Sequence, residues 1–238
     1  MQDYLYNEKL SNNRNEMNKN NYDLNKIYIQ NRFAFWLFPI DSSLKAISSE
    51  EEKVCLNLST IRARQYHYSR GYVRYALSCL FNVPPLEIPL KAMPGQPAEL
   101  CEGWGYISFS HCNDALFVGW SQSKLGVDIE NQNRIFQAER LVRRFLFEED
   151  KYYLSTLKSE KYRNEVLKLW VKKEAAIKWQ RGSIASDLSE WVFRSNDDSA
   201  LHKRLNINLN VCSHVYNSWY ISIASQLKVN SVFPFCKA

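Results

Sequence analysis

Residues 125–130 read Leu125-Gly126-Val127-Asp128-Ile129-Glu130, and the whole fold turns on how they are read. As a strand the segment alternates, with Val127 and Ile129 on one face and Asp128 and Glu130 on the other. The two acids then sit roughly 6.5–7 Å apart at their Cα atoms, so their carboxylates can converge on one cation. Just before them, Ala115-Leu116-Phe117-Val118-Gly119-Trp120 is almost wholly apolar, the composition of a core strand. An acidic pair beside such a strand suits either a half-exposed strand with a solvated face or a strand that holds a hard metal ion. From this stretch alone both readings stand.

Working outward, Ser121 to Lys124 between the two strands is expected to form a hairpin loop. Upstream, Phe33-Ala34-Phe35-Trp36-Leu37-Phe38 reads as a buried strand ended by Pro39. Ser48-Ser49-Glu50-Glu51-Glu52 has the pattern of a capping box at a helix start. Thr60 to Leu80 is a long helix with Ile61, Tyr68, Tyr72, Tyr75, Ala76 and Leu80 as its apolar stripe, and with Arg62, Arg64, His67, Arg70 and Arg74 on its other faces. Prolines 84, 85, 89, 94 and 97 mark an irregular connection before a short strand, Tyr106 to Phe109.

Downstream, Arg134 to Phe147 reads as an amphipathic helix with Ile135, Leu141, Val142, Phe145 and Leu146 as its apolar positions. Glu148-Glu149-Asp150 opens the next helical piece, and Glu165 to Gln180 is a long helix closed by Gly182. Strands are expected at Trp191–Phe193, at 205–211 and at 216–224. Helix and strand are mixed throughout, an α+β arrangement, and the order of helix then strands occurs twice. Residues 1–31, rich in asparagine, read as a flexible tail, leaving 32–124 and 125–238 as two halves.

Composition limits the function. The 238 residues suffice for one large domain or two smaller ones. No run of 18 apolar residues occurs, so no membrane span is expected. Met1 to Asn31 lacks the apolar core of a secretory signal, and the six scattered cysteines form no disulfide framework; together these point to a reducing, cytoplasmic setting. The net charge is +6, and the segment from Arg134 to Gly182 alone carries thirteen Lys/Arg against seven Asp/Glu. Such a basic surface suits an acidic partner or a phosphate-rich ligand. No nucleic-acid-binding signature accompanies it.

The helix around Leu167-Lys168-Leu169-Trp170-Val171-Lys172-Lys173-Glu174-Ala175-Ala176-Ile177-Lys178 puts Glu174 and Lys178 on a face that begins with Leu167 and Val171. Lys173 falls within the main apolar stripe of Val166, Leu169, Trp170 and Ile177. By itself the Glu174–Lys178 pair reads more readily as an ordinary i,i+4 ion pair on a solvated surface.

Gly-Val-Asp-Ile-Glu at 126–130 followed by Trp-x-x-Lys-Glu-Ala-x-x-Lys at 170–178 resembles the paired signature of the Sfp-type 4′-phosphopantetheinyl transferases. Ser108-Phe109-Ser110-His111-Cys112 is similar to the family's Asn-hydrophobic-Ser-His-Ser strand end, matching at Ser110 and His111. Pro94-Gly95-Gln96-Pro97 resembles its Gly-Lys-Pro turn, with Gln96 in place of the lysine. Residues 62–74 resemble the arginine-bearing helix of its first half.

The resemblance implies two α+β halves related by pseudo-twofold symmetry, with the site in the cleft between them. It implies Mg²⁺-dependent transfer of the 4′-phosphopantetheine group from coenzyme A to a serine of an acyl or peptidyl carrier protein, releasing adenosine 3′,5′-bisphosphate. Asp128, Glu130 and Glu174 would be the metal ligands, Glu174 also a candidate base, and Lys178 the pyrophosphate cation. Lys173 would be a second phosphate-facing cation. Ser110 and His111 would lie near the coenzyme A 3′-phosphate, with Arg64 and Arg70 as further candidates for it. The basic segment from Arg134 to Lys151 would dock an acidic carrier. One chain with both halves suggests a monomer. Two rival readings are a non-catalytic relative that binds coenzyme A or a carrier protein, and a basic nucleic-acid-binding module.

Overall fold

The computed structural model describes residues 27–30, 33–40, 43–193 and 198–229. The first half contains β1 (Ile27–Gln30), β2 (Phe33–Pro39), α1 (Ser49–Leu56), α2 (Thr60–Phe81), the short pair β3 (Leu90–Lys91) and β4 (Glu99–Leu100), β5 (Tyr106–His111) and β6 (Ala115–Ser121). The second contains β7 (Leu125–Asn131), α3 (Ala138–Phe145), α4 (Glu148–Ser155), α5 (Ser159–Gln180), α6 (Ile184–Asp187), β8 (Trp191–Phe193), β9 (Ser199–His202), β10 (Ile207–Tyr216) and β11 (Trp219–Ser225). The mixture of helix and sheet is the α+β class expected.

The strands form one sheet in the order β1-β2-β6-β5 and a second in the order β7-β11-β10-β9-β8. Within these the order β2-β6-β5 repeats as β7-β11-β10. Each half has an opening strand, then a helix of 22 residues, then a hairpin whose last strand pairs antiparallel with the opening one. Both long helices end on a left-handed residue, Asn82 (φ 54°) and Arg181 (φ 62°), the conformation that closes a helix C-terminus.

Strand alternation builds the layers. Phe33, Phe35, Leu37 and Phe117 of the first sheet meet Val127, Ile129, Ile221 and Ile223 of the second in a core between the sheets. The opposite faces of β2 and β6 pack Trp36, Val118 and Trp120 against Tyr72, Val73, Ala76 and Leu77 of α2. Ala175, Ala176 and Trp179 of α5 cover the second sheet at Val211 and Ala224. The result is helix, sheet, sheet, helix, each layer apolar on the faces it buries.

Gly126 sets how closely α5 lies on β7. A Cβ there would stand 2.0 Å from the Ala175 carbonyl oxygen and 2.3 Å from the Trp179 amide nitrogen. Both are helix backbone atoms, so no rotamer change relieves the overlap.

The hairpin expected at 121–124 does not form. β6 pairs with β2 and β5, whereas β7 pairs with β11 in the other sheet. The chain leaves one sheet and starts the next because Leu125, Val127 and Ile129 complete the inter-sheet core opposite Phe35 and Phe117. Pairing within one sheet would strip that core of its second wall.

Other expectations shift at their edges. Ile27–Gln30, inside the segment read as a tail, pairs with β2; the rest of that segment lies outside the described residues. α3 begins at Ala138, leaving Ile135, expected on the apolar face, 97% exposed. α5 starts at Ser159, ahead of the expected Glu165. Asn217 (φ 50°) turns the chain between β10 and β11, and β9 forms where no strand is expected. The capping box at Ser48 and Glu51 forms as expected. Glu51 also takes a 2.8 Å ion pair from Arg74. Arg74, placed on an outward face by the helical pattern, is buried and donates to the carbonyls of Pro85, Ile88 and Leu90, fastening the proline-rich connection to α2. Among the described residues no helix is long and apolar enough to cross a membrane.

Candidate active site

β5 and β7 are edge strands of different sheets, and they run side by side where the halves meet. Side chains join them. The Ser108 hydroxyl accepts the Val127 amide at 3.0 Å, and the Ser110 hydroxyl donates to Asp128 Oδ1 at 2.6 Å. Alternation along β7 puts Asp128 and Glu130 on the face away from the inter-sheet core, as the sequence predicts, with α5 lying over it. From α5, Lys178 Nζ reaches Asp128 Oδ1 at 2.7 Å. One carboxylate thus gathers β5, β7 and α5.

Glu174 lies one helical turn before Lys178 on α5. Burial and then the negative charge of Asp128, with a smaller part from Glu130, push its carboxyl up to about 7. Burial also raises Glu130, whose Oε2 accepts a 2.8 Å bond from Arg134 Nη1 that opposes the rise. The three expected acids are thus close enough to perturb one another. Among the described residues no group of three or more His, Cys, Asp or Glu side chains stands ready to hold a metal ion. The donor chemistry nevertheless fits one: oxygen-only ligands, like-charged and partly buried, are what a hard cation satisfies.

Beside these groups opens a cavity of about 410 Å³ between the halves. Glu174, Lys178 and Trp179 line it from α5, Ser108 and Phe109 from β5, and Gly95, Gln96 and Pro97 from the turn between β3 and β4. Gly95 carries a positive φ of 74°, which makes that turn. Arg70 also lines the cavity, but much of its guanidinium is committed. Nε and Nη2 donate to the Ala92 carbonyl, Nη1 donates to Ser69, and the plane stacks on Tyr66 and Phe109. Arg181, which also lines the cavity, pairs with Glu99 of β4.

Two expected residues lie to one side. His111 and Arg64 line a smaller pocket of about 170 Å³ at the far end of β5. His111 is exposed at the strand end; partial desolvation, followed by the charges of Lys178 and Arg70, lowers its pKa.

Lys173 does not join the site. Its side chain is fully buried, with Nζ 2.6 Å from Asp150 Oδ2 and 3.2 Å from the Leu188 carbonyl. The apolar stripe that contains it packs toward α4, and a lysine there needs an internal carboxylate. It is a fastening between α4 and α5 rather than a phosphate ligand. Lys173→Met strands a buried aspartate and is expected to cost about 3–5 kcal/mol, read as a lower midpoint in urea denaturation.

In the sequence Arg134 is one cation among many in a basic segment, and nothing local singles it out as the partner of Glu130. Ser108, where the motif that Ser110 and His111 match has asparagine, is a further residue of the seam. The polar side chain at each inward step of β5 was the available signal for Ser108.

Residues 124–224 match the family model of the 4'-phosphopantetheinyl transferase superfamily. The match begins one residue before β7 and ends within β11, so it contains Asp128, Glu130, Glu174 and Lys178, and it supports that superfamily for the chain. No curated protein matches the chain at a significant level.

Proposed function

We propose that this protein is an Sfp-type 4′-phosphopantetheinyl transferase, moving the phosphopantetheine arm of coenzyme A onto a serine of an acidic acyl or peptidyl carrier protein. The observation that carries the reading is the convergence of Asp128, Lys178 and Glu174 beside the cavity between the halves. Acids and a cation gathered beside a cavity support a reading in which a pyrophosphate and an incoming hydroxyl meet there.

Phosphoryl transfer of this kind depends on positioning and on neutralising charge. Glu174 would accept the proton of the attacking serine. The new bond joins the serine oxygen to the β-phosphorus, and the bond from that phosphorus to the bridging oxygen breaks. Adenosine 3′,5′-bisphosphate leaves. Lys178 holds the pyrophosphate through its ammonium, released from or shared with Asp128. Asp128, Glu130 and Glu174 would hold Mg²⁺, which supplies charge neutralisation at the pyrophosphate. The cavity lined by Gln96, Arg70 and Lys178 is suited to the nucleotide end of coenzyme A. Ser110 is tied to Asp128 and acts on the 3′-phosphate less directly than the motif implies. The imidazole of His111 would contact that phosphate as a hydrogen-bond donor. Arg64 would approach it from the adjoining pocket. The exposed arginines 134, 140, 143 and 144 offer a carrier protein a basic landing surface.

Incubation with coenzyme A, Mg²⁺ and a panel of apo-carrier proteins tests this by intact mass. Addition of one phosphopantetheine to a carrier, abolished by chelator and restored by Mg²⁺, is the expected result. Tight coenzyme A binding without transfer to any carrier would favour a non-catalytic binder.

A further inference from the structure

The acidic cluster carries a counter-ion that the motif does not include. Arg134 Nη1 meets Glu130 Oε2 at 2.8 Å, with the arginine side chain 44% exposed and the glutamate 14%. The backbone beneath it is held from several sides. Gln132 donates its amide to the Ser218 carbonyl, Arg134 to the Asn131 carbonyl, and Asn133 to the Asn131 side chain. Arg163 of α5 donates to the carbonyls of Gln132 and Arg134 while stacking on Phe136. A fixed backbone with a half-exposed guanidinium is an arm that can change partner without the fold changing.

We infer that Arg134 is a built-in competitor of the divalent cation, occupying Glu130 until the cation displaces it. This rests on the assignment of Asp128, Glu130 and Glu174 as metal-holding residues. Asp128 is likewise covered by Lys178, so cations internal to the chain balance the acids before any ligand arrives. A divalent ion taking Glu130 turns the Arg134 guanidinium outward, toward the surface that carries Arg140, Arg143 and Arg144. Metal occupancy thereby adds one free cation to the face on which an acidic partner would land. The same arm sets a threshold for the metal and advertises that the metal is bound.

Calorimetric titration of Mn²⁺ into the full chain, without coenzyme A, tests the competition. Arg134→Gln is expected to tighten Mn²⁺ binding about five-fold, the order of one partly exposed ion pair. In a Glu130→Gln background the same change is expected to leave the affinity unaltered, because no carboxylate remains to be contested. Unchanged or weaker binding by Arg134→Gln overturns the inference. So does an equal gain in both backgrounds, which would mark a general field effect. If the unaltered chain takes up no Mn²⁺, even with coenzyme A present, the metal assignment itself falls; uptake that is insensitive to Arg134 removes only the competitor.

Discussion

Replacing Glu174 with glutamine is expected to lower transfer to a carrier serine by about 10²–10⁴-fold while making the metal-free protein more stable at neutral pH. The two effects have one origin. A carboxyl pushed up to about 7 by burial and by Asp128 is a group the folded chain holds at a cost whenever it is ionised. Its ordinary value is 4.5, so between these values the folded state binds a proton that the unfolded state has lost. The associated stability is fully present below about pH 4.5 and disappears as pH rises through about 7. Over that window it amounts to about 3 kcal/mol. Thermal denaturation in chelator should therefore show a fall in midpoint from pH 4.5 to 7.5 in the unaltered chain and a flatter profile in Glu174→Gln. A variant that keeps full activity removes Glu174 from the chemistry; a profile that is equally steep removes it as the source of the pH dependence.

Gly126→Ala is expected to damage the fold and the site together. The added methyl group would lie 2.0 Å from the Ala175 carbonyl and 2.3 Å from the Trp179 amide, so α5 would have to lift from β7. Overpacking against side chains costs about 1–3 kcal/mol; against helix backbone, the upper end or more applies. Because Glu174 and Lys178 ride on the same helix, lifting it also lengthens the 2.7 Å contact between Lys178 and Asp128. Chemical denaturation should show the loss of stability, and transfer should fall even where the variant remains folded. A variant with native stability would mean that α5 has slack over β7 that the close contact denies.

The residues whose environment follows from local periodicity were readable in the chain. Asp128 and Glu130 share a face because a strand repeats every two residues. Glu174 and Lys178 share one because a helix nearly repeats at four. Legibility failed where an environment is made by distant segments. Two apolar strands separated by a short polar link ordinarily pair as neighbours, and nothing local announces that β6 and β7 belong to different sheets. Arg74 looks like a surface cation on a helical projection, and Lys173 interrupts an apolar stripe without announcing a partner; only the positions of Glu51 and Asp150 show where their charges are met. Ile135 shows the reverse failure, an apolar residue in a helical pattern whose helix begins three residues later.

The seam between β5 and β7 gives the molecule a mechanical property. Among the described residues no backbone ladder crosses it; it is stitched by the hydroxyls of Ser108 and Ser110, the second of which ends on Asp128. The carboxylate that would face the ligand is therefore also a rivet between the two sheets. A ligand that drew Asp128 away from Ser110 would be expected to loosen the joint between the sheets. The joint between the halves and the candidate site thus share one carboxylate.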